Sequence, residues 1–169
     1  MFEVYIHVPF CLRRCGYCDF NTYTAVDLGG GASRGNYAAM TICEMRLVRD
    51  WQERHGIAEP PASTVFFGGD TPTILPADDL IAILNAIREL WGVEDGAEIT
   101  TEANPDTVDA ATIRALADGG FTRVTFGMQS AVPHVLRTLD RTHTRANVEA
   151  GERAAGAAGL RSSVDLIYG

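Results

Sequence analysis

Short apolar runs alternate with longer amphipathic stretches along this chain. Five runs rich in β-branched and aromatic residues, at residues 4–8, 64–67, 98–101, 123–126 and 163–167, are typical of strands. Between them, apolar residues recur every three to four positions, which predicts helices over residues 36–51, 77–90, 109–116 and 144–158. Repeated strand and helix pairs indicate a parallel sheet, which right-handed crossovers curl into an open or closed barrel. We therefore predict an α/β fold.

The ends and faces of the helices can also be predicted. Candidate N-caps are Asp78, Asp109 and Thr144, and candidate C-caps are Gly92, Gly119 and Gly159. In the first helix, the face expected to pack into the core carries Ala39, Ile42, Cys43, Leu47 and Trp51. Residues 24–35 contain three consecutive glycines and are expected to form a flexible loop.

Composition narrows the classes of function. The 169 residues suit a single domain and include 22 acidic and 14 basic side chains, for a net charge of −8. This acidic balance argues against nucleic-acid binding, which needs clustered positive charge. All of the basic residues counted are Arg, so a Schiff-base lysine, a P-loop lysine and a kinase lysine are excluded from this chain.

The sequence predicts neither a membrane-spanning segment nor a signal peptide. No run reaches about 18 apolar residues, so we predict no transmembrane segment. The N-terminal segment lacks a basic region, and Glu3 and His7 interrupt its apolar residues, so it predicts a strand and not a signal peptide. We expect a cytoplasmic protein. Three of the 4 Cys lie close together, which favours metal ligation over a disulfide framework.

The last predicted strand lies at the end of the sequence. Gly169 follows it directly, and no covering helix comes next. A complete (β/α)₈ barrel needs about 250 residues, and a sheet that stops at this strand leaves an exposed edge. We therefore expect residues 1–169 to be one domain that is incomplete at its C-terminal end.

Polar or glycine-rich residues end or follow each predicted strand. These sets are residues 9–19, 68–72, 102–104, 127–130 and 165–168. In βα architectures, functional groups collect at the carboxyl ends of parallel strands. The five sets therefore predict one shared site.

The segment Cys11-x3-Cys15-x2-Cys18 is the most specific motif. Three thiolates in one loop suit a soft metal centre, and a [4Fe–4S] cluster held by three Cys keeps one iron open for a small molecule. The alternative is a non-catalytic zinc module, in which these Cys and a fourth ligand, His7 or Asp19, hold one ion. Structural zinc sites commonly use two CxxC pairs, and this chain has one, so the spacing favours the cluster.

The stretch from Tyr5 to Asn21, which contains the three Cys, resembles the cluster loop of the radical S-adenosylmethionine (SAM) superfamily. It is most similar to the oxygen-independent coproporphyrinogen III oxidase-like branch, which includes the HemW-type heme chaperones. Further motifs match that branch in order, at residues 67–73, 102–105, 127–130, 139–143 and 165–169. The resemblance covers essentially the whole chain.

The resemblance implies a fold and two cofactors. This chain would supply five strands of a six-stranded partial barrel. Cys11, Cys15 and Cys18 would ligate a [4Fe–4S] cluster, and SAM would chelate its open iron. One-electron reduction, from a donor such as flavodoxin or ferredoxin, would split SAM into methionine and a 5′-deoxyadenosyl radical. Tyr5 and Tyr17 would pack around SAM, and its polar contacts would come from Gly69, Asp70, Thr71, Glu102, Gln129, Arg141 and Asp165.

Two positions depart from the pattern of the branch. Asp70 stands where a third Gly is usual, and its carboxylate is a candidate partner for the SAM amino group. Phe20 stands where the decarboxylating enzymes have a further Cys, which favours a heme chaperone over a coproporphyrinogen III dehydrogenase. Heme or a porphyrin is then an expected further ligand. The sequence leaves the substrate and catalytic turnover open, and we expect this chain alone to be inactive.

Overall fold

The structure is a computed structural model that describes residues 1–168. Its strands are β1 (Glu3–Val8), β2 (Asp27–Gly29), β3 (Ala32–Ser33), β4 (Ala62–Gly69), β5 (Val93–Ala103), β6 (Arg123–Gln129) and β7 (Arg161–Leu166). Its α-helices are α1 (Tyr37–Arg54), α2 (Ala77–Leu90), α3 (Ala110–Asp118), α4 (Pro133–Thr138) and α5 (Arg145–Ala158). The strands β1, β4, β5, β6 and β7 alternate with helices, as the hydrophobic pattern predicts. The short strands β2 and β3 and the short helix α4 are additions to that pattern.

Five strands form one parallel sheet in the order β1-β4-β5-β6-β7. This arrangement confirms the predicted α/β fold and its parallel strands. A helical crossover joins each strand of this sheet to the next one, so the carboxyl ends of all five strands lie along one edge. Within residues 1–168, no helix combines the length and the apolar character needed to span a membrane.

The helices pack on one face of the sheet. Val8, Val65 and Phe67 are fully or almost fully buried in a cluster with side chains of α1 and α2. Val124 and Phe126 belong to a second cluster, with side chains of α3 and α5. Burial of such apolar side chains is the main stabilising contribution to the fold.

The opposite face of the sheet, which we call the open face, is largely polar. Because successive side chains of a strand alternate between faces, the register places Tyr5, Phe66, Thr100, Thr125 and Asp165 on this face. Thr125 donates a hydrogen bond to the Asp165 carboxylate across β6 and β7, at 3.3 Å. The open face therefore offers polar groups to whatever lies above the sheet.

Several strands extend farther than the sequence predicts. β4 runs through Gly69, β5 through Glu102 to Ala103, and β6 to Gln129, so these site residues lie within strands and not after them. Gly, Asp and Glu residues are less common in strands than β-branched and aromatic residues. Ladder hydrogen bonds use only the backbone, however, so such residues can still pair when the neighbouring strand continues.

The predicted face of α1 is confirmed at Ile42, which packs against the core, and is wrong at Ala39, Cys43, Leu47 and Trp51, which are exposed. Cys43 is exposed, Leu47 is 66% exposed and Trp51 is 50% exposed, whereas Ala38 and Met45 are buried. The helix packs through a stripe that includes Gln52, whose side chain accepts a hydrogen bond from the Trp91 indole at 2.8 Å. A polar residue that finds a buried partner can occupy a core position, which hydrophobic periodicity alone does not reveal.

The helix ends follow the predictions in part. Asp109 and Thr144 are N-caps, and Gly119 and Gly159 are C-caps, as predicted. The N-cap of α2 is Pro76 and not Asp78, which lies in the first turn of the helix. The C-cap of α2 is Trp91 and not Gly92. Residues 24–35 contain the antiparallel hairpin of β2 and β3 instead of a flexible loop, and the Asp27 carboxylate accepts a hydrogen bond from the Gly29 N–H at 2.8 Å inside it.

We predict that Gly151→Ala lowers the free energy of unfolding, whereas Gly156→Ala raises it. A Cβ at Gly151 would lie 2.8 Å from the Phe126 ring, and such overpacking costs about 1–3 kcal/mol. Gly156 lies on the same helix with no atom within 4 Å of an added Cβ, so alanine should gain up to about 1 kcal/mol of helix propensity. Urea denaturation of both variants measures the difference. Equal changes in the free energy of unfolding would contradict the close contact between Gly151 of α5 and Phe126 of β6.

Candidate functional site

A cavity of about 160 Å³ lies at the carboxyl ends of the strands. The predicted site residues that line it are Cys11, Cys15, Tyr17, Cys18, Gly69, Asp70, Glu102, Gln129, Arg141 and Asp165. Tyr5 and Thr71 are the predicted site residues that lie outside its lining. The loop that carries Cys11, Cys15 and Cys18, which we call the cysteine loop, thus meets the ends of the strands. The turn that carries Arg141 lies at the same place.

The cysteine loop is fixed at both ends by backbone hydrogen bonds. The Cys11 N–H donates to the Tyr23 carbonyl at 3.1 Å, and the Tyr23 N–H donates to the Pro9 carbonyl at 2.9 Å. A turn brings Cys18 back toward Cys15, whose carbonyl accepts the Cys18 N–H at 3.0 Å. All three cysteines are free thiols, with Cys11 buried and the other two half-buried.

Within residues 1–168, no group of three His, Cys, Asp or Glu side chains forms a site for a single metal ion. The sulfurs of Cys11, Cys15 and Cys18 do line one cavity. Three soft donors around one cavity are the ligand type that iron–sulfur clusters use.

Cys11 is the deepest of the three cysteines. Its sulfur lies 3.1 Å from the hydroxyl of Thr71, which is 1% exposed. Asn104 donates to the same hydroxyl at 3.0 Å. Thr71 is therefore placed beneath a cysteine and not against the cavity, so a hydrogen bond to sulfur is the contact that the structure supports for it.

Cys18 faces a carboxylate. Its sulfur lies 3.8 Å from Asp70 Oδ1 and 3.4 Å from the hydroxyl of Thr22. Thr22 donates to Asp70 Oδ1 at 2.6 Å, which ties the cysteine loop to the end of β4. The second oxygen of Asp70, Oδ2, is shielded from solvent and has no hydrogen-bond partner among residues 1–168. Such an atom needs a partner, and a bound cationic group would supply one.

Arg141 joins the cysteine loop to the strands. Its guanidinium donates to the Gly127 carbonyl at 2.6 Å, to Asn104 Oδ1 at 2.8 Å and to the sulfur of Cys15 at 3.7 Å. It also faces the Tyr17 hydroxyl, although burial raises the pKa of Tyr17 more than this cation lowers it. A half-buried arginine with several fixed acceptors holds a single orientation.

The turn before Arg141 is strained. Asp140 has a φ of 56°, in the left-handed region that non-glycine residues seldom adopt. Its carboxylate accepts a hydrogen bond from Arg13 of the cysteine loop at 3.1 Å. A Cβ at Gly16 would lie 2.9 Å from Asp140 Oδ2, so a side chain at position 16 would require the Asp140 carboxylate to shift. Gln129, which lines the cavity, is the other described non-glycine residue with a positive φ, at 60°.

Glu102 is a carboxylate with little solvent around it. Burial raises its pKa to about 7, and Asp165 adds to the rise, whereas a hydrogen bond from the Gly69 N–H, at 3.1 Å, opposes it. Gly69 has a φ of 112°, and a Cβ there would lie 2.8 Å from the Val8 carbonyl oxygen. Only glycine lets β4 come this close to β1 and still offer its N–H to Glu102.

Tyr5 lies on the open face of the sheet, outside the lining of the cavity. It stacks on Phe66 with ring centroids 6.1 Å apart and hydrogen-bonds His7 Nδ1 at 2.9 Å. Burial raises the pKa of Tyr5, and the charges of Glu102 and Asp70 raise it further, which indicates that it lies near the site. Tyr5 therefore lies outside the cavity lining but close to its carboxylates, and its expected contact with SAM stays a prediction.

Three residues to which the sequence assigned no ligand contact also contribute to the site, although Asn104 belongs to the predicted strand-end set 102–104. Asn104 bridges Arg141 and Thr71, Thr22 contacts Cys18 and Asp70, and Asp140 holds Arg13. The position of Asn104 beside Glu102 at a strand end was a usable signal. Thr22 and Asp140 act through loop geometry, for which hydrophobic patterns carry no signal.

Comparison with known proteins identifies the family. Residues 5–169 match the family model of the Radical SAM superfamily. The chain belongs to the radical SAM superfamily. Within it, the chain is 41% identical over 169 residues to the heme chaperone HemW of Mycobacterium tuberculosis, and this match covers 99% of the chain and 42% of the relative. It is 31% identical to HemW of Haemophilus influenzae, covering 99% of the chain and 43% of the relative.

A solved radical SAM structure shares the fold. The coproporphyrinogen III oxidase HemN of Escherichia coli matches with a TM-score of 0.85 and 25% identity, over 99% of this chain and 37% of that one. This similarity confirms the expectation of a partial radical SAM barrel. The chain spans about two fifths of the length of the relatives it matches.

The raised pKa of Glu102 predicts a pH-dependent stability. Folded protein retains a proton on Glu102 up to about pH 7, whereas the unfolded chain loses it near the ordinary value of 4.5. The free energy of unfolding should therefore fall as pH rises from about 4.5 to about 7, by at most about 2 kcal/mol once partial solvent exposure is allowed for. Thermal unfolding of cofactor-free protein across this range measures it.

The control for this prediction is a second glutamate on the same strand. Glu102→Gln should remove much of the fall in unfolding temperature between those pH values. Glu94→Gln changes an exposed carboxylate of β5 and should leave the pH profile as it is. A profile that is unchanged in Glu102→Gln would contradict the assignment.

Proposed function

We propose that this chain is the radical SAM core of a HemW-type heme chaperone and binds a [4Fe–4S] cluster and SAM. The observation that carries the proposal is the single cavity lined by Cys11, Cys15 and Cys18 together with the polar ends of the strands. Soft sulfur donors suit iron, and the polar residues beside them suit the charged groups of SAM. We treat residues 1–169 as one core domain, expected in the cytoplasm.

Cys11, Cys15 and Cys18 are the residues that would hold the cluster. When bound, the cluster and SAM together supply one-electron chemistry at a sulfonium. The protein contributes a fixed loop, hydrogen bonds to the sulfurs, and a cavity with limited room for water. A low-potential electron donor such as flavodoxin or ferredoxin belongs to this proposal.

The remaining cavity residues provide a binding site for SAM. Arg141 would meet a carboxylate. Asp70 Oδ2, which has no hydrogen-bond partner among residues 1–168, would accept from an ammonium group. Glu102, Gln129 and Asp165 offer oxygen atoms and an amide to hydroxyl and amino groups. Gly69 lies in the wall next to Asp70, and Tyr17 provides aromatic surface. Thr71, which contacts the Cys11 sulfur, and Tyr5, which stacks on Phe66, would support the site from outside the cavity lining.

The chaperone assignment rests on the relatives. Both HemW proteins described above match nearly the whole chain, and heme is the ligand in their name. Phe20 stands where the decarboxylating enzymes have a further Cys. A coproporphyrinogen III dehydrogenase is the second candidate, because HemN has the same fold over this region. Titration of the full-length protein with hemin, next to an assay of coproporphyrinogen III conversion, distinguishes them.

We predict that anaerobic reconstitution yields about four iron and four sulfide per chain. Cys11→Ala, Cys15→Ala and Cys18→Ala should each lose most of that iron, because three thiolates are needed to hold the cluster. Cys43→Ala is the matched control, since this fourth cysteine is exposed on α1. One tightly bound zinc, with no absorption near 400 nm, would instead support the zinc module.

We also predict that Asp165→Asn weakens SAM binding by about tenfold. A hydrogen bond to a charged group contributes about 1.5–3 kcal/mol, and each 1.4 kcal/mol changes the dissociation constant tenfold. Equilibrium dialysis of reconstituted protein measures the affinity, and Asp95→Asn, an exposed carboxylate on β5, serves as the control. Unchanged affinity at equal iron content would remove Asp165 from the binding site.

A further inference from the structure

The three cysteine sulfurs have neighbours of different charge. Cys11 faces the neutral hydroxyl of Thr71 at 3.1 Å. Cys15 faces the Arg141 guanidinium at 3.7 Å, and Cys18 faces the Asp70 carboxylate at 3.8 Å. A metal centre held by these sulfurs would therefore have a cation beside one ligand and an anion beside another.

Thr22 strengthens the contrast at Cys18. Its hydroxyl lies 3.4 Å from the Cys18 sulfur but only 2.6 Å from Asp70 Oδ1. A hydroxyl has one proton to donate, and the shorter contact to a carboxylate takes it. Asp70 thus places a negative charge near Cys18 and also withdraws a hydrogen-bond donor from its sulfur.

Arg141 is held in place by hydrogen bonds to other groups of the protein. The Gly127 carbonyl and Asn104 Oδ1 accept from it at 2.6 and 2.8 Å, and its Nε lies 3.3 Å from His143 Nδ1. His143 is 3% exposed and is fixed in turn by the Met128 carbonyl at 2.9 Å. The guanidinium is therefore a fixed positive charge beside Cys15.

We propose that Asp70 and Arg141 set the reduction potential of the cluster in opposite directions, Asp70 lowering it and Arg141 raising it. Uptake of one electron from an external reductant adds negative charge to the cluster. A nearby cation and an N–H donor to sulfur favour that uptake, and a nearby carboxylate opposes it. The effect is strong where water is scarce, because charges are then weakly screened. The inference rests on the cluster assignment of the proposed function.

The test is the midpoint potential of reconstituted protein without SAM. An anaerobic spectroelectrochemical titration with dithionite as the one-electron reductant measures it. Asp70→Asn should raise the potential and Arg141→Gln should lower it, while Arg141→Lys, which keeps the cation, should shift it less. Arg145→Gln and Glu149→Gln change an exposed ion pair on α5 and serve as charge controls with small shifts.

A double-mutant cycle tests the role of Thr22. In the wild-type background its proton already goes to Asp70, so Thr22→Val should hardly move the potential. After Asp70→Ala the hydroxyl proton is released to its two remaining acceptors, the Cys18 sulfur and the Phe20 carbonyl, both at 3.4 Å, so adding Thr22→Val should lower the potential of that variant. Additive effects in the two backgrounds would contradict the competition for this proton.

Failure of the inference differs from failure of the proposed function. Shifts at Asp70 and Arg141 no larger than those of the α5 controls, at full iron content, would overturn the inference and leave cluster binding intact. Wild-type protein that takes up no iron and sulfide would remove both. Opposite shifts at the two positions, with small shifts in the controls, support the inference.

Discussion

The rest of this protein depends on one constraint. The helices that cover the sheet all pack on one face of its five parallel strands. Val65, Phe67, Val124 and Phe126 alternate with residues that must then face away from the helices. Since the strands are parallel, their carboxyl ends meet at one edge, and the polar positions gather there. The burial of apolar side chains therefore decides where the chemistry of the site is located.

Arg141 shows how the site depends on contacts between separate parts of the chain. Its guanidinium reaches the end of β6 through Gly127, the end of β5 through Asn104 and the cysteine loop through Cys15. The loop has no regular secondary structure over most of its length, so these contacts and the bridge from Tyr23 to Pro9 fix it. Positioning of the sulfurs is therefore shared between the sheet and a turn far away in sequence.

The sequence predicted the parallel α/β fold and most of the cavity lining, because hydrophobic periodicity and strand-end placement both reflect backbone geometry. It failed where side chains are satisfied by particular partners. Gln52 is buried on α1 and accepts a hydrogen bond from the Trp91 indole, whereas Leu47, which was expected in the core, is exposed. Thr71 contacts the sulfur of Cys11, a partner that the strand-end pattern did not predict. Such pairings need three-dimensional positions, which a pattern of polar and apolar residues does not contain.

The left-handed backbone at position 140 limits how this part of the chain can change. Asn and Gly adopt that conformation readily, whereas β-branched residues do so only with strain. Replacement of Asp140 by Asn would lose an exposed ion pair with Arg13, worth little, and would keep the turn. Replacement by Val or Ile would lose the same ion pair and would also strain the backbone directly before Arg141. At this position, the shape of the main chain therefore restricts the choice of side chain more than the ion pair does.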